Sequence, residues 1–374
     1  MHKKTQCVHS GSLEDERYHG TVSPVYPSTA YDYVEVDTFA YPRYFNTPNQ
    51  QAVKDKICAL ENAEDGIMFS SGMAAITTSL FGLLEKGDHV VFQNDLYGGT
   101  HYAVTTQMEK FGIDYTLVES MEWEDYEAAV RPNTKIIYIE TPSNPLLKII
   151  DLQAMTTLAR SKGIITIIDN TFASPINQNP LDHGIDIVVH SGTKYLGGHS
   201  DICCGVMLSS RELTQRILKT SINLGGSLNA QVCHLLERSL KTLALRVKQQ
   251  NENAQKISEF LRSEDNIGGV FYPGLADHPG HELAKRQMMG FGGMLSFEIK
   301  SDPGQFVKRL KLVKPAMSLG GVESTITCPA QTSHSKISAA ARENAGIRDE
   351  LLRMSVGIED AEDLVSDLQQ AIYA

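Results

Sequence analysis

Between residues 66 and 208, short apolar runs recur with longer mixed stretches between them, and this alternation constrains the fold more than any other feature. The runs are Gly66–Phe69, His89–Phe92, Tyr115–Val118, Lys135–Ile139, Ile164–Ile168, Ile185–Val189 and Ile202–Leu208. Near-continuous apolar runs of this length suit strands covered on both faces. Two of the intervening stretches, Gly72–Leu84 and Leu152–Lys162, have helical period. The second is bracketed by Asp151 as a cap and Gly163 as a stop. Strands alternating with helices predict an α/β domain on a mostly parallel, seven-stranded sheet.

The flanking regions read differently. Residues 1–60 are rich in Pro, Tyr and polar residues and show no helical period until Asn49–Leu60. They predict an extended N-terminal arm of the kind that reaches over a partner subunit. After the α/β domain, 61–226, the pattern changes near Gly225-Gly226. One long helix is expected over Asn229–Leu261, short strands at Gly293–Ile299 and near Met317–Ile326, and a terminal helix over Asp360–Ile372. Residues 227–374 therefore read as a smaller α+β domain.

Charge narrows the possible partners. The chain carries 45 acidic against 34 basic residues, a formal net charge of −11. That balance opposes unspecific attraction to nucleic acid or to an anionic membrane, while leaving room for a local basic pocket. No apolar stretch approaches the ~18 residues of a membrane-spanning helix. The segment Met1-His2-Lys3-Lys4-Thr5-Gln6-Cys7 lacks the apolar core of a secretory signal. The cysteines, at 7, 58, 203, 204, 233 and 328, include no Cys-x-x-Cys pair. Reduced thiols in a cytoplasmic protein are expected, with Cys203 and Cys204 inside an apolar strand.

In an open α/β sheet, ligands bind beyond the carboxyl ends of the strands. One run here ends in Asp169-Asn170-Thr171, and the next leads into Ser191-Gly192-Thr193-Lys194-Tyr195. A lone lysine is usually a solvated surface charge. A lysine and an aspartate at the ends of two nearby strands meet the needs of pyridoxal phosphate (PLP). The amine forms a Schiff base, and the carboxylate keeps the pyridine nitrogen protonated.

Other strand ends carry Ser70-Ser71-Gly72 and Glu140-Thr141-Pro142-Ser143-Asn144. Ser71-Gly72-Met73 opens a helix whose free N–H groups suit a phosphate; it also reads as a plain serine cap. Ser191 and Thr193 add hydroxyls for the same anion. Tyr97-Gly98-Gly99-Thr100 can lay a ring on a heterocycle or form an ordinary turn. Arg353, a lone charge within Leu351–Val356, needs an anionic partner, which is either a substrate carboxylate or an internal salt bridge. Neither a Walker loop nor a dinucleotide glycine fingerprint occurs in the expected place. Asp277-His278-Pro279-Gly280-His281-Glu282 lacks zinc-ligand spacing, so no metal site is expected there. The remaining histidines, His334 among them, form no ligand pattern.

In this order the fragments resemble the Cys/Met-metabolism family of PLP-dependent enzymes. That family holds cystathionine γ-synthase, cystathionine β- and γ-lyases, methionine γ-lyase and acylhomoserine sulfhydrylases. The matching stretches run from Tyr41-Pro42-Arg43 through those above to Ser318-Leu319-Gly320-Gly321-Val322-Glu323-Ser324 and Ser355-Val356-Gly357. The resemblance implies the fold-type I, aspartate aminotransferase-like architecture and a homotetramer of two catalytic dimers. It implies Lys194 as the Schiff-base lysine, Asp169 with Thr171 at the pyridine nitrogen, and Tyr97 stacked on the ring. Ser71, Gly72, Met73, Ser191 and Thr193 would hold the phosphate, joined by Tyr41 and Arg43 of a neighbouring subunit. Asn144, Ser318 and Arg353 would receive the substrate carboxylate, and Glu323 a distal ammonium. The chain departs from the family's pattern at Asn46-Thr47-Pro48, which inverts a usual order. Gly99 stands where methionine γ-lyases carry cysteine, and Tyr102 where many members carry arginine.

The expected activity is that of a transsulfuration carbon–sulfur lyase acting on cystathionine or a related thioether amino acid. Lys194, assisted by Tyr97, would move the protons. The alternative is a cystathionine γ-synthase or sulfhydrylase performing γ-replacement on an O-acylhomoserine. An inactive scaffold is opposed by the intact set of Lys194, Asp169 and Arg353, and a nicotinamide oxidoreductase by the missing glycine fingerprint.

Overall fold

The computed structural model describes residues 1–333, 335, 342–343 and 345–374, so His334 lies outside the described residues. The larger sheet contains β1 (Asp65–Phe69), β2 (His89–Gln93), β3 (Asp114–Val118), β4 (Thr134–Glu140), β5 (Ile165–Asp169), β6 (Ile187–Ser191) and β7 (Gly205–Ser209). Their order is β1-β7-β6-β5-β4-β2-β3. Strand β7 is antiparallel to both neighbours, and the other pairs are parallel. The carboxyl ends of β1, β4, β5 and β6 therefore share one edge. Every expected run contains a strand, but the last begins at Gly205 and not at Ile202. The Thr193 hydroxyl donates to the Cys204 carbonyl (3.2 Å) and accepts from its N–H (3.1 Å), which occupies that backbone before the strand starts. Cys203 and Cys204 thus precede β7. All six cysteines are free, and Cys203 is the exposed one.

Strand alternation sets which side chains meet which helix. Ile167, Ile187 and Val189 pack with Ile76 and Leu80 of helix Gly72–Leu83. Ile168 and Val188 pack on the other face with Val53, Ile57 and Leu60 of helix Pro48–Glu61, and with Met155 and Leu158 of helix Leu152–Lys162. Burying each such side chain fully contributes roughly 1.5–3 kcal/mol. The same alternation puts Asp169 on the face of Ile167, and Asn170 and His190 on the opposite one. The Asp151 and Gly163 signals act as read: Asp151 accepts from Ala154 N at 3.0 Å, and Gly163 adopts a left-handed φ of 68°.

The smaller sheet holds β8 (Ile267–Phe271), β9 (Met294–Ile299), β10 (Lys314–Pro315), β11 (Thr325–Thr327) and β12 (Leu351–Ser355), in the order β10-β11-β12-β9-β8. Helices Leu243–Ser263 and Ala361–Tyr373 cover it through Ile257, Leu261, Leu364 and Leu368. The single helix expected over Asn229–Leu261 is two, Ala230–Leu240 and Leu243–Ser263. The break falls where Arg246 takes the Ser239 carbonyl (3.0 Å) and the Thr242 hydroxyl bonds the same group (3.2 Å). The strand expected near Met317–Ile326 is mostly loop. Ser318 and Gly320 have φ of 82° and 74°, incompatible with a strand, and only Thr325–Thr327 pairs with β12. Gly225 and Gly226 mark a turn of the chain, both at positive φ. Leu228, Leu236, Leu240, Leu243 and Val247 pack with the large sheet, and Ala254, Ile257 and Leu261 with the small one.

The N-terminal region begins with a short helix, Lys3–His9, held by the buried Lys56 amine, which donates to the Cys7 and Val8 carbonyls at 3.3 Å. Between Ser10 and Tyr41 no helix or strand forms, and Tyr18, Tyr33, Val34 and Phe39 are exposed. Thr47 and Pro48 start the next helix, with Gln50 Oε1 accepting the Thr47 N–H at 2.9 Å. In this way the inverted Asn46-Thr47-Pro48 order supplies a helix start.

Candidate active site

Asp169 and Lys194 leave the sheet at adjacent strands. Asp169 ends β5, and Lys194 lies in the turn after β6. The Thr171 N–H donates to Asp169 Oδ1 at 2.9 Å, and Thr171 Oγ1 accepts the Ser191 N–H at 2.8 Å, so one threonine links the two strand ends. Burial pushes the Asp169 carboxyl up from its ordinary range, opposed by Thr171 and by His190 on the far face. Among the described residues no lysine or arginine is paired with it. A buried carboxylate of this kind is completed by a cationic N–H donor.

The Lys194 amine donates to Ser318 Oγ at 2.8 Å. Burial, reinforced by the Arg353 charge, brings it down to about 8. A lysine at that value holds about 300 times more neutral amine at pH 7 than one at 10.5. The loop carrying Ser318 is pressed onto the lysine turn: a Cβ added to Gly320 would stand 2.7 Å from Tyr195 N and 3.1 Å from the Lys194 carbonyl carbon. Beneath the turn the buried Arg246 guanidinium donates to the Tyr195 and Leu196 carbonyls at 2.8 and 3.4 Å.

The expected phosphate residues fall into three situations. Gly72 opens helix Gly72–Leu83 against Ser191, and an added Cβ would meet Ser191 Cβ at 2.8 Å. Glycine therefore brings the helix N–H groups of Gly72 and Met73 beside the Ser191 hydroxyl, an anion site in form. Ser71 caps that helix, its hydroxyl accepting from Ala74 N at 3.1 Å, while the Thr193 hydroxyl is engaged with Cys204. Tyr41 and Arg43 lie apart. Arg43 packs over the Tyr41 and Tyr44 rings at 5.8 and 5.5 Å and donates to the Ile222 carbonyl at 2.6 Å. Among the described residues no hydrogen bond or ion pair joins either to Lys194, Asp169 or Gly72.

Arg353 lies on β12 and is 6% exposed. Its Nη1 donates to Asn144 Oδ1 at 2.7 Å, its Nε is buried without a partner, and burial brings the guanidinium down to about 10. Among the described residues no carboxylate pairs with it, which removes the internal salt bridge. Ser143 Oγ nearby in sequence is another buried hydroxyl without a partner. Ser296 anchors this stretch by donating to the Pro145 carbonyl at 2.7 Å. An unpaired Arg donor within electrostatic reach of the Lys194 amine suits a substrate α-carboxylate. Glu323 is exposed on the Ser318 loop, its carboxylate near Gly321, and Tyr102 is 53% exposed.

Residue types and spacing alone did not single out three further features. Both oxygens of Glu140 accept the Tyr97 N–H, at 3.0 and 2.9 Å. Arg246 clamps the lysine turn. On the far face Glu61 accepts from Asn170 at 2.8 Å and pairs with His190 at 2.7 Å, directly behind Asp169 and Ser191. The histidine pair at 278 and 281 serves its own loop: His278 Nδ1 accepts the Gly280 N–H at 3.0 Å, and His281 Nδ1 lies 2.8 Å from the Pro273 carbonyl. No described helix is long and apolar enough to cross a membrane.

A lysine brought to about 8, a half-buried aspartate on the adjacent strand, a helix start closed on Ser191 and a buried arginine without a carboxylate partner fit a PLP-dependent enzyme of fold-type I. The chain belongs to the Cys/Met metabolism PLP-dependent enzyme family, whose sequence pattern matches residues 4–373. It is 46% identical to cystathionine gamma-lyase of Bacillus subtilis (strain 168), over 100% of this chain and 99% of that protein. It is 42% identical to cystathionine beta-lyase of Lactococcus lactis subsp. cremoris (strain MG1363), over 99% and 98%. The crystal structure of cystathionine gamma-lyase from Lactobacillus plantarum complexed with L-serine superposes with a TM-score of 0.96 at 40% identity, over 100% of this chain and 99% of that one.

Proposed function

We propose that this protein is a PLP-dependent carbon–sulfur lyase that eliminates from cystathionine or a close thioether amino acid. The observation that carries the reading is the unpaired, buried Arg353, held by Asn144 within electrostatic reach of the Lys194 amine. A group that must bond an amino acid's carboxylate and reach its Cα is built there. The names of the similar proteins point to the same substrate class, and a structure holding L-serine supports an α-amino acid in the site.

The residues present fit PLP. Gly72, Met73 and Ser191 would hold its phosphate, Asp169 its ring nitrogen, Lys194 its aldehyde carbon, and Tyr97 one ring face. When bound, the cofactor supplies an electron sink that makes the substrate's Cα–H bond acidic. Arg353 and Asn144 orient the substrate carboxylate and so fix which Cα bond points at Lys194. The Lys194 amine would remove the substrate's Cα proton; its lowered basicity keeps a neutral fraction ready near pH 7. Ser318 holds that amine in place. For cleavage at Cγ, Lys194 with Tyr97 also moves a Cβ proton.

The protein works as a homotetramer, with Tyr41 and Arg43 of one subunit reaching a neighbour's phosphate site. Their exposure, with Arg43 engaged by Tyr41, Tyr44 and the Ile222 carbonyl, supports this. The deciding measurement is product analysis. Incubation with cystathionine should release a 2-oxo acid, pyruvate for β-cleavage or 2-oxobutyrate for γ-cleavage. Faster formation of cystathionine from an O-acylhomoserine plus cysteine would replace the lyase reading by a γ-synthase.

A further inference from the structure

Glu140 ends β4 in register with Asp169 of β5, and both its carboxylate oxygens accept the Tyr97 N–H. Its own N–H donates to Gln93 Oε1 at 2.8 Å. The carboxylate is buried, which pushes it well above the usual range, and the Asp169 charge adds to that. A buried acid beside a second, half-buried carboxylate is costly, and an apolar residue of similar size would avoid the cost. Helix Gly98–Gln107 has no side-chain cap of its own at Tyr97. Helices Gly72–Leu83, Leu152–Lys162 and Arg211–Leu224 are capped locally, by Ser71, Asp151 and Ser210. Here the acceptor comes from a residue 43 positions away, on the strand edge that carries Asp169.

Tyr97 has few other anchors. Its side chain is 47% exposed, and its hydroxyl makes no hydrogen bond among the described residues. Its ring rests on Gly99: a Cβ added there would stand 2.5 Å from Tyr97 Cε1 and 3.1 Å from Met73 Sδ. The floor of the ring is therefore glycine, and its backbone anchor is Glu140.

We propose that Glu140 is a positioning residue that fixes where the Tyr97 ring meets the coenzyme ring, by tying the Tyr97 backbone to the strand edge that holds Asp169. The proposal rests on the reading that Tyr97 stacks on PLP. It requires an acceptor at position 140 and does not require a charge there.

The test uses the PLP-loaded enzyme and three variants: Glu140→Gln, which keeps an acceptor oxygen; Glu140→Leu, which fills the space and removes both acceptors; and Tyr97→Ala. Visible-region circular dichroism of bound PLP, PLP affinity, kcat and KM with cystathionine, and melting temperature are measured for each. Glu140→Gln should stay within about twofold of wild type, and Glu140→Leu should lose most of the visible ellipticity with a kcat about 10- to 100-fold lower and KM within about threefold. The combined Glu140→Leu/Tyr97→Ala enzyme should be no worse than Tyr97→Ala alone, because residues acting through one another are not additive. If the leucine variant does not fold, Glu140→Ala enters the same comparison. Additive losses, or Glu140→Gln as impaired as Glu140→Leu, overturn the proposal. A wild-type protein that binds no PLP would instead end the underlying functional reading, and is distinguishable because it precedes every variant.

Discussion

The two ends of the candidate site are built by different means. The proposed coenzyme end is a sheet edge: Asp169, Thr171 and Ser191 are tied by backbone N–H donors to side-chain oxygens, and Gly72 packs against Ser191. The proposed distal substrate end is a loop and a helix face, where Glu323 and Tyr102 are exposed. Tyr41 is likewise exposed, on the arm. At the coenzyme end Thr171 is bonded both to Asp169 and to the Ser191 N–H, so a deletion there strands a polar neighbour and costs much. At the exposed end water replaces a lost partner, so the same deletion costs little. The buried end fixes the chemistry, and the exposed end has room to tune which thioether enters.

The comparison breaks first at Lys194. Lys194→Ala should abolish the visible absorbance of the PLP-loaded protein and lower turnover on the order of 10⁴-fold, the upper range for a positioned acid–base group. Borohydride reduction of the wild type followed by peptide mapping should place the PLP label on Lys194. A label on another lysine would move the buried chemistry elsewhere and undo the contrast.

Much of the coenzyme end was legible because its signals are local. An apolar run that stops at a carboxylate, or at Ser-Gly-Thr-Lys, marks a strand end without knowledge of the fold. Asp151 and Gly163 are readable for the same reason. What could not be read depends on partners far along the chain. The Glu140–Tyr97 clamp spans 43 positions and the Glu61–His190 pair 129. The break between helices at Lys241-Thr242 is reinforced by Arg246, one turn into the next helix, competing for the Ser239 carbonyl. Met317, Leu319 and Val322 give the loop at 317–324 a strand-like pattern, yet the positive φ angles of Ser318 and Gly320 serve its packing on Lys194. Arg353 was recognised as an isolated charge, but its strand was not, since β12 is defined by pairing with β9 and β11.

An intermediate effect is expected at the arm. If Arg43 completes a neighbour's phosphate site, Arg43→Ala should weaken PLP binding roughly 10- to 100-fold, the loss of a charge-assisted hydrogen bond. Mixed with Lys194→Ala subunits, it should regain activity in hybrid dimers. Random pairing makes half the dimers hybrid, each with one complete site in two, so recovery should approach about a quarter of wild-type activity. Verified hybrids that recover nothing would assign the arm to its own subunit.

The smallest effect is expected at Glu323. Its carboxylate is exposed and pairs with no lysine, arginine or histidine among the described residues. It lies on the loop whose Ser318 holds Lys194, which suits the distal ammonium of cystathionine. Tyr102 at the same time withholds the positive charge that a distal carboxylate would want. The balance favours cystathionine over O-succinylhomoserine, which presents only a carboxylate at that end, and O-acetylhomoserine, which presents no charge, should fall between them. An exposed ion pair contributes about 0.2–1 kcal/mol. Glu323→Ala should therefore lower kcat/KM for cystathionine by about 1.5- to 5-fold and leave O-acetylhomoserine unchanged. The comparison to run is kcat/KM on all three substrates for wild type and variant. A loss above about 30-fold would mean that a neighbouring subunit buries Glu323 in the assembled enzyme, since only a desolvated pair is worth that much. O-succinylhomoserine as the best wild-type substrate would reverse the charge assignment of the exposed end and leave the buried end untouched.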